Sequence, residues 1–160
     1  MGSTHRRTPA LLLRPAWPDE GPLLSRLAMN SKAQWGYDDD FMSRCREELT
    51  VTPWRIARER FRVADSGGKI AGFSSVKVRD AKALVQNLFI EPAFVRLGVG
   101  HLLLRDLLDY ARRHGVRLVH VEADPNAAAF YEHEGFHHAG EVPSASIAGR
   151  NLPLMEMRFS

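Results

Sequence analysis

The hydrophobic and polar positions of this chain change period repeatedly, and the changes mark out its elements. Leu11 to Arg14 is a short apolar run of strand length. After Pro18-Asp19-Glu20 the period turns helical through Leu23, Leu24, Leu27 and Ala28, with acids at the end where a helix dipole favours them. A second helix, 39–49, puts Phe41, Met42, Cys45 and Leu49 on one stripe. Thr52-Pro53 opens a short helical piece to about Arg58. Alternating apolar positions then predict strands at 60–64 and 70–78, joined by a hairpin turn at Asp65-Ser66-Gly67-Gly68, and a third strand at 83–90. A leucine-rich helix runs from about Gly98 to His114 and stops at Gly115, with Arg112 and Arg113 at its negative end. A strand at 118–122 follows, then a helix opened by Asp124-Pro125 and closed at Gly135, then strands at 136–142 and 152–159. Hairpin strands beside two strand–helix crossovers predict an α/β fold. Its sheet is mixed and mostly antiparallel, flanked by helices on both faces.

One junction stands out. The strand ending Asn87-Leu88-Phe89-Ile90 meets a turn at Pro92, then two glycines at alternate positions, Gly98 and Gly100, and a helix at once. Unpaired amides at the positive end of a helix, beside the carboxyl end of a strand, hold an anion, most naturally a phosphate. A nucleotide-triphosphate loop needs Lys and Ser/Thr after its last glycine, but His101 and Leu102 stand there. The dinucleotide fingerprint needs a third glycine where Leu103 stands. Alone, Gly98-Val99-Gly100 is also compatible with a plain helix-capping loop.

Composition narrows the class. With 160 residues, 44% hydrophobic and 26% charged, the chain is expected to form one domain over 10–160 with an N-terminal arm at 1–9. No apolar run approaches the ~20 residues of a membrane span, and Ala10 to Leu13 is too short for a signal-peptide core. A single cysteine suits a reducing, cytoplasmic setting. A net charge of +3 favours an anionic cofactor without supplying a nucleic-acid motif, so no specific nucleic-acid partner and no membrane partner are expected.

A second stretch completes the pattern: Asp124-Pro125-Asn126-Ala127, then Phe130-Tyr131, then Gly135-Phe136. Together with Val95-Arg96-Leu97-Gly98-Val99-Gly100 it resembles the GNAT superfamily, the acyl-coenzyme A-dependent N-acetyltransferases. The first stretch is similar to that family's pyrophosphate loop, Gln/Arg-x-x-Gly-x-Gly/Ala, and the second to its later helix. The resemblance covers about Val63 to Phe159. Val95 departs from it, keeping the amide and losing a polar side chain, and Arg96 stands where the family often has glycine. It implies acetyl-coenzyme A as cofactor. The expected contacts are the backbone of Leu88, Phe89 and Ile90, the loop residues Val95, Arg96, Gly98, Val99, Gly100 and His101, and Asn126, Phe130 and Tyr131 on the later helix.

The resemblance implies direct transfer of acetyl to an amine, on a small molecule or a protein, in a ternary complex. Such chemistry wants a base, oxyanion donors and an acid for the leaving thiolate. Tyr131 matches the family's acid, and a phenol stays protonated at neutral pH. Strand alternation puts His120 and Glu122 on one face as candidate bases, while Gln86 and Asn87 can only position water. Trp35, Tyr37 and Asp38 lie between the first two helices, where the family builds its acceptor site. They are candidate substrate contacts for a cationic amine, and Asp38 to Asp40 equally suit the start of the second helix. Cys45 reads as a core thiol. His137 and His138 point to opposite faces of a strand, so no metal is expected. A homodimer is a candidate assembly. The alternative function is a non-catalytic acyl-coenzyme A-binding sensor or interaction domain.

Overall fold

The computed structural model of the chain describes residues 10–160; the arm expected over 1–9 lies outside the described residues. In chain order the elements are β1 (Leu12–Pro15), α1 (Gly21–Ala33), α2 (Asp39–Leu49), α3 (Pro53–Arg58), β2 (Arg60–Ser66), β3 (Lys69–Arg79), β4 (Lys82–Ile90), α4 (Val99–Arg113), β5 (Leu118–Glu122), α5 (Ala128–His133), β6 (His137–Pro143) and β7 (Asn151–Arg158). Short 3₁₀ turns precede α1, α4 and α5. The helix expected from Asp124 to Gly135 is therefore interrupted. Asp124 caps a 3₁₀ turn at Pro125–Ala127, accepting from the Asn126 amide, before α5 proper begins.

Among the described residues seven strands lie in the order β1-β2-β3-β4-β5-β7-β6, and only β4 and β5 are parallel. The two-residue hairpin at Gly67-Gly68 has positive φ at both positions, as the twist of flanking strands requires, and the Gly68 amide donates to Asp65. Helices cover both faces. On one, α4 buries Leu103, Leu104, Leu107, Leu108 and Ala111; its leucines and Ala111 pack with Val85, Val119, Val121 and Met155 or with Ala64 and Ala71. On the other, Leu24, Leu27 and Ala28 of α1 and Cys45 and Leu49 of α2 pack on Phe61, Val63 and Phe73. Each fully buried leucine contributes about 2 kcal/mol.

Two irregularities open the sheet at its centre. The parallel ladder between β4 and β5 ends at Leu84↔His120, so the rest of β4 has no partner on that side. At the same place the β3–β4 register jumps, with Val76 opposite Val85 but Ser75 opposite Asn87, leaving Gln86 as a bulge. A bulge bends its strand and increases its twist. Here it carries β4 away from β5 and leaves a wedge-shaped gap between their carboxyl ends.

Candidate active site

The gap deepens into a cleft of about 690 Å³. Its floor is the free edge of β4 from Gln86 to Ile90, and one end is the loop from Phe94 to His101 at the start of α4. The bulge turns both Gln86 and Asn87 toward the cleft, where the Asn87 amide donates to Ser75 at 2.8 Å and is thereby fixed. Leu88, Phe89 and Ile90 line it as well.

The loop is built for exposed amides. Gly98 caps α4 at φ +80°, and no side chain among the described residues satisfies the first-turn donors of Val99, Gly100 and His101. The helix therefore presents its positive end to the cleft. Gly100 lies close against the later helix: a Cβ there would be in van der Waals contact, 3.4 Å from the Phe130 ring and 3.8 Å from Ile90. Arg96 adopts φ +64°, a left-handed conformation that strains any side-chain-bearing residue. Its side chain is exposed, as is that of Val95. The His101 ring stands 2.9 Å from the carboxylate of Glu134, a partner absent from the sequence reading.

The wall running away from this loop follows α5 backwards, from Phe130 against Gly100 to Ala127 and Asn126, then Asp124 and Glu122. At Asp124 three separate segments converge. Its carboxylate accepts from Lys32 at 3.0 Å and from the Tyr37 hydroxyl at 3.0 and 2.9 Å. Arg150, just before β7, donates to the Tyr37 oxygen at 2.7 Å and reaches Asp124 at 3.5 Å. The Asn126 amide group also donates to Tyr37, at 3.0 Å. Burial pushes the Asp124 carboxyl up, but the Asn126 backbone amide and the Lys32 ammonium outweigh it and hold it below the usual range. Burial, reinforced by Asp124, raises the Tyr37 phenol above its ordinary value. Lys32 and Arg150 carry no motif; only their distance from Asp124 in space reveals them.

The structure separates the candidate bases. Glu122, at the end of β5, is exposed and lines the cleft. His120 does not: it is still paired across from Leu84, before the strands part, and faces a separate shallow groove with Lys77, Lys82 and Leu84. The alternation that put the two on one face holds, but the cleft begins only beyond His120. Tyr131 is buried at 4% exposure behind the wall, edge-on to Phe130 and Phe136, and is not a lining residue. Burial alone raises its phenol well above the ordinary value. Of the expected acceptor contacts, Trp35 is half exposed and lines the cleft. Tyr37 stacks on Phe41 at 4.0 Å and serves the Asp124 network. Asp38 caps α2 by accepting from the Phe41 amide and lies away from the cleft.

A sequence model of the acetyltransferase (GNAT) domain matches residues 40–159. The chain belongs to the GNAT acetyltransferase family. Among curated relatives, the N-alpha-acetyltransferase RimI of Mycobacterium tuberculosis is 35% identical over 82 residues, 48% of this chain and 51% of that one. The ribosomal protein bS18-alanine N-acetyltransferase of Escherichia coli is 33% identical over 75 residues, 45% of this chain and 51% of that one. The matches thus span about half the length of these relatives. The GNAT fold is seen throughout: a GCN5-related N-acetyltransferase from Rhodopseudomonas palustris superposes with TM-score 0.79 at 23% identity, covering 99% of this chain and 100% of that one. The PaiA N-acetyltransferase of Thermoplasma acidophilum, in complex with coenzyme A, does so with TM-score 0.78 at 17% identity, covering 94% and 99%. None of the described helices is long and apolar enough to cross a membrane.

Proposed function

We propose that this GNAT chain is an N-acetyltransferase that moves an acetyl group from acetyl-coenzyme A to an amine, with residues 10–160 acting as one catalytic domain. The observation that carries the reading is the continuity of two unsatisfied backbone surfaces in one cleft: the free edge of β4 beyond Leu84 and the uncapped amides of α4. They fit the two halves of the cofactor. The amides of Val99, Gly100 and His101 suit the pyrophosphate, and the edge at Leu88, Phe89 and Ile90 suits the amide-bearing pantetheine arm. Asn126 and Phe130 flank that arm on the opposite wall.

When bound, acetyl-coenzyme A supplies an activated thioester carbonyl. Glu122 takes a proton from the acceptor ammonium, directly or through a water held by Gln86, so that the amine nitrogen is free to attack. Backbone amides along β4 donate to the oxygen on which charge develops. The carbon–sulfur bond then breaks, and Tyr131 is the proposed proton source for the departing thiolate. Its burial keeps the hydroxyl protonated, and seating of the cofactor beside Phe130 must bring that hydroxyl into reach. A cytoplasmic setting is part of this reading, supported by the single, buried Cys45.

The test is thiol release from acetyl-coenzyme A across a panel of amines, with cofactor affinity measured separately by calorimetry. Amine-dependent release is expected. Tight cofactor binding without release for any amine would instead identify an acyl-coenzyme A sensor.

A further inference from the structure

The wall at Asp124 has the wrong charge for the cationic acceptor that Asp38 to Asp40 suggest from sequence. Those three acids are exposed at the start of α2, where Asp38 is a cap and Asp40 pairs with Arg44. In their place the cleft carries Lys32 and Arg150, two cations sharing the single carboxylate of Asp124. All three side chains are mostly withdrawn from solvent, at 14%, 18% and 15% exposure. Between these three side chains one positive charge is in excess, where screening is weak, while Glu48, Arg55 and Glu122 line other parts of the cleft.

Arg150 is also only partly used. Its Nη2 makes both recorded bonds, to Tyr37 and Asp124, while Nε and Nη1 have no hydrogen-bond partner among the described residues. The guanidinium is nonetheless held in place, its carbon 5.1 Å from the Tyr37 ring centre and 4.8 Å from that of Phe41. A planar cation fixed over aromatic rings, with donors to spare and facing a cleft, is matched to a planar oxyanion. Its place beside Asp124 sets it apart from the α4 amides that suit the pyrophosphate. The α5 wall runs from Gly100 and Phe130 back to Asp124, so Arg150, held at Asp124, stands along that wall away from the α4 amides and on the side of Glu122.

We infer that the acceptor is an amine that also carries a carboxylate, its amine directed to Glu122 and its carboxylate to Arg150, with Lys32 adding to the attraction. This deepens the acetyltransferase reading and rests on it. An amino acid meets the requirement, and an amine with no negative group does not.

The experiment compares α-, β- and γ-amino acids with their own carboxamides as acceptors, in the full-length protein with acetyl-coenzyme A, by thiol release. The best acid is expected to exceed its carboxamide in kcat/KM by about ten- to a hundredfold, the range of a hydrogen bond to a charged group. In Arg150→Gln that ratio falls toward one, chiefly through KM, and Arg150→Lys recovers part of it. Because the ratio is taken within one preparation, partial unfolding of a variant cancels. Equal use of acid and carboxamide by the unaltered protein overturns the inference, as does an unchanged ratio in Arg150→Gln. A loss of coenzyme A affinity in Arg150→Gln with the ratio intact overturns it too, by placing Arg150 on the cofactor. Failure of every amine despite cofactor binding removes the parent reading, and this one with it, and is a distinct outcome.

Discussion

The Tyr37 hydroxyl lies 3.0 and 2.9 Å from the two carboxylate oxygens of Asp124, although 87 residues separate them. Through this contact the segment between α1 and α2 is fastened to the turn after β5, and Arg150 fastens the start of β7 to both. Removing one member strands the others. Asp124→Asn leaves Lys32 and Arg150 facing each other without a counter-charge and is expected to cost about 1–3 kcal/mol. Tyr37→Phe should cost less, and the double variant less than the sum, with a coupling of roughly 0.5–3 kcal/mol. Urea unfolding midpoints of the four proteins decide this, and additive losses would show that the contact carries no energy.

A pH dependence follows from the same carboxyl. Asp124 is held below its ordinary value in the folded chain, with burial opposing and the Asn126 amide and Lys32 prevailing. Glu20 is shifted the same way, its burial outweighed by hydrogen bonds from Arg14 and the Trp17 amide. A depressed folded value means stabilisation that is fully present above the unfolded value of about 4 and is lost as pH falls through the folded one. The stability difference between the unaltered protein and Asp124→Asn should therefore be constant near neutrality and shrink below about pH 4. A difference that grows on acidification would contradict the sign.

Much of the architecture is written in local signals: the Asp38 cap of α2, the Gly67-Gly68 turn, the alternation of Val119 and Val121, and the glycines before α4. These depend on neighbours in sequence, and a single chain displays them. The acceptor wall depends on elements that meet only once the sheet has its order, so Lys32 and Arg150 have no local mark. His120 and Glu122 make the same point within one strand. Alternation makes them equivalent, and only the place where β4 leaves β5 tells them apart. Tyr131 carries a family signature yet sits behind Phe130, because a short helix after a 3₁₀ turn has one face to bury and both aromatics lie near it.

Arg96 holds φ +64° in the loop that should grip the pyrophosphate. Arg96→Gly removes a left-handed penalty of about 1–2 kcal/mol but adds freedom to the unfolded chain, for a net stabilisation of roughly 0.5 kcal/mol. If the main-chain amides do the binding, coenzyme A affinity should change by less than about threefold, as for an exposed and screened charge. A loss of tenfold or more by calorimetry would place the guanidinium on a phosphate.

Glu122 is the candidate base that lines the cleft. Glu122→Gln is expected to lower kcat by about 10²–10⁴-fold, with little change in coenzyme A affinity. His120→Gln should leave the rate unaltered, since its groove lies outside the cleft. A reversed pattern would exchange the two residues.

Tyr131 provides the sharpest separation of structure from chemistry. Its ring is packed on Phe130 and Phe136, and its hydroxyl makes no recorded hydrogen bond among the described residues, so Tyr131→Phe keeps the packing and forfeits no partner. Stability should stay within about 0.5 kcal/mol of the unaltered protein. A merely structural tyrosine would then leave catalysis untouched as well. As proton donor, its loss should lower kcat by about 10²-fold or more while coenzyme A affinity holds. Acetyl thioester donors whose leaving thiol has a low pKa test the point further. If the phenol protonates the leaving thiolate, a thioester whose thiol is already a good leaving group should be transferred by Tyr131→Phe almost as fast as by the unaltered protein. Equal slowing with both thioesters would remove the phenol as the proton source for the thiolate and place its effect before the carbon–sulfur bond breaks.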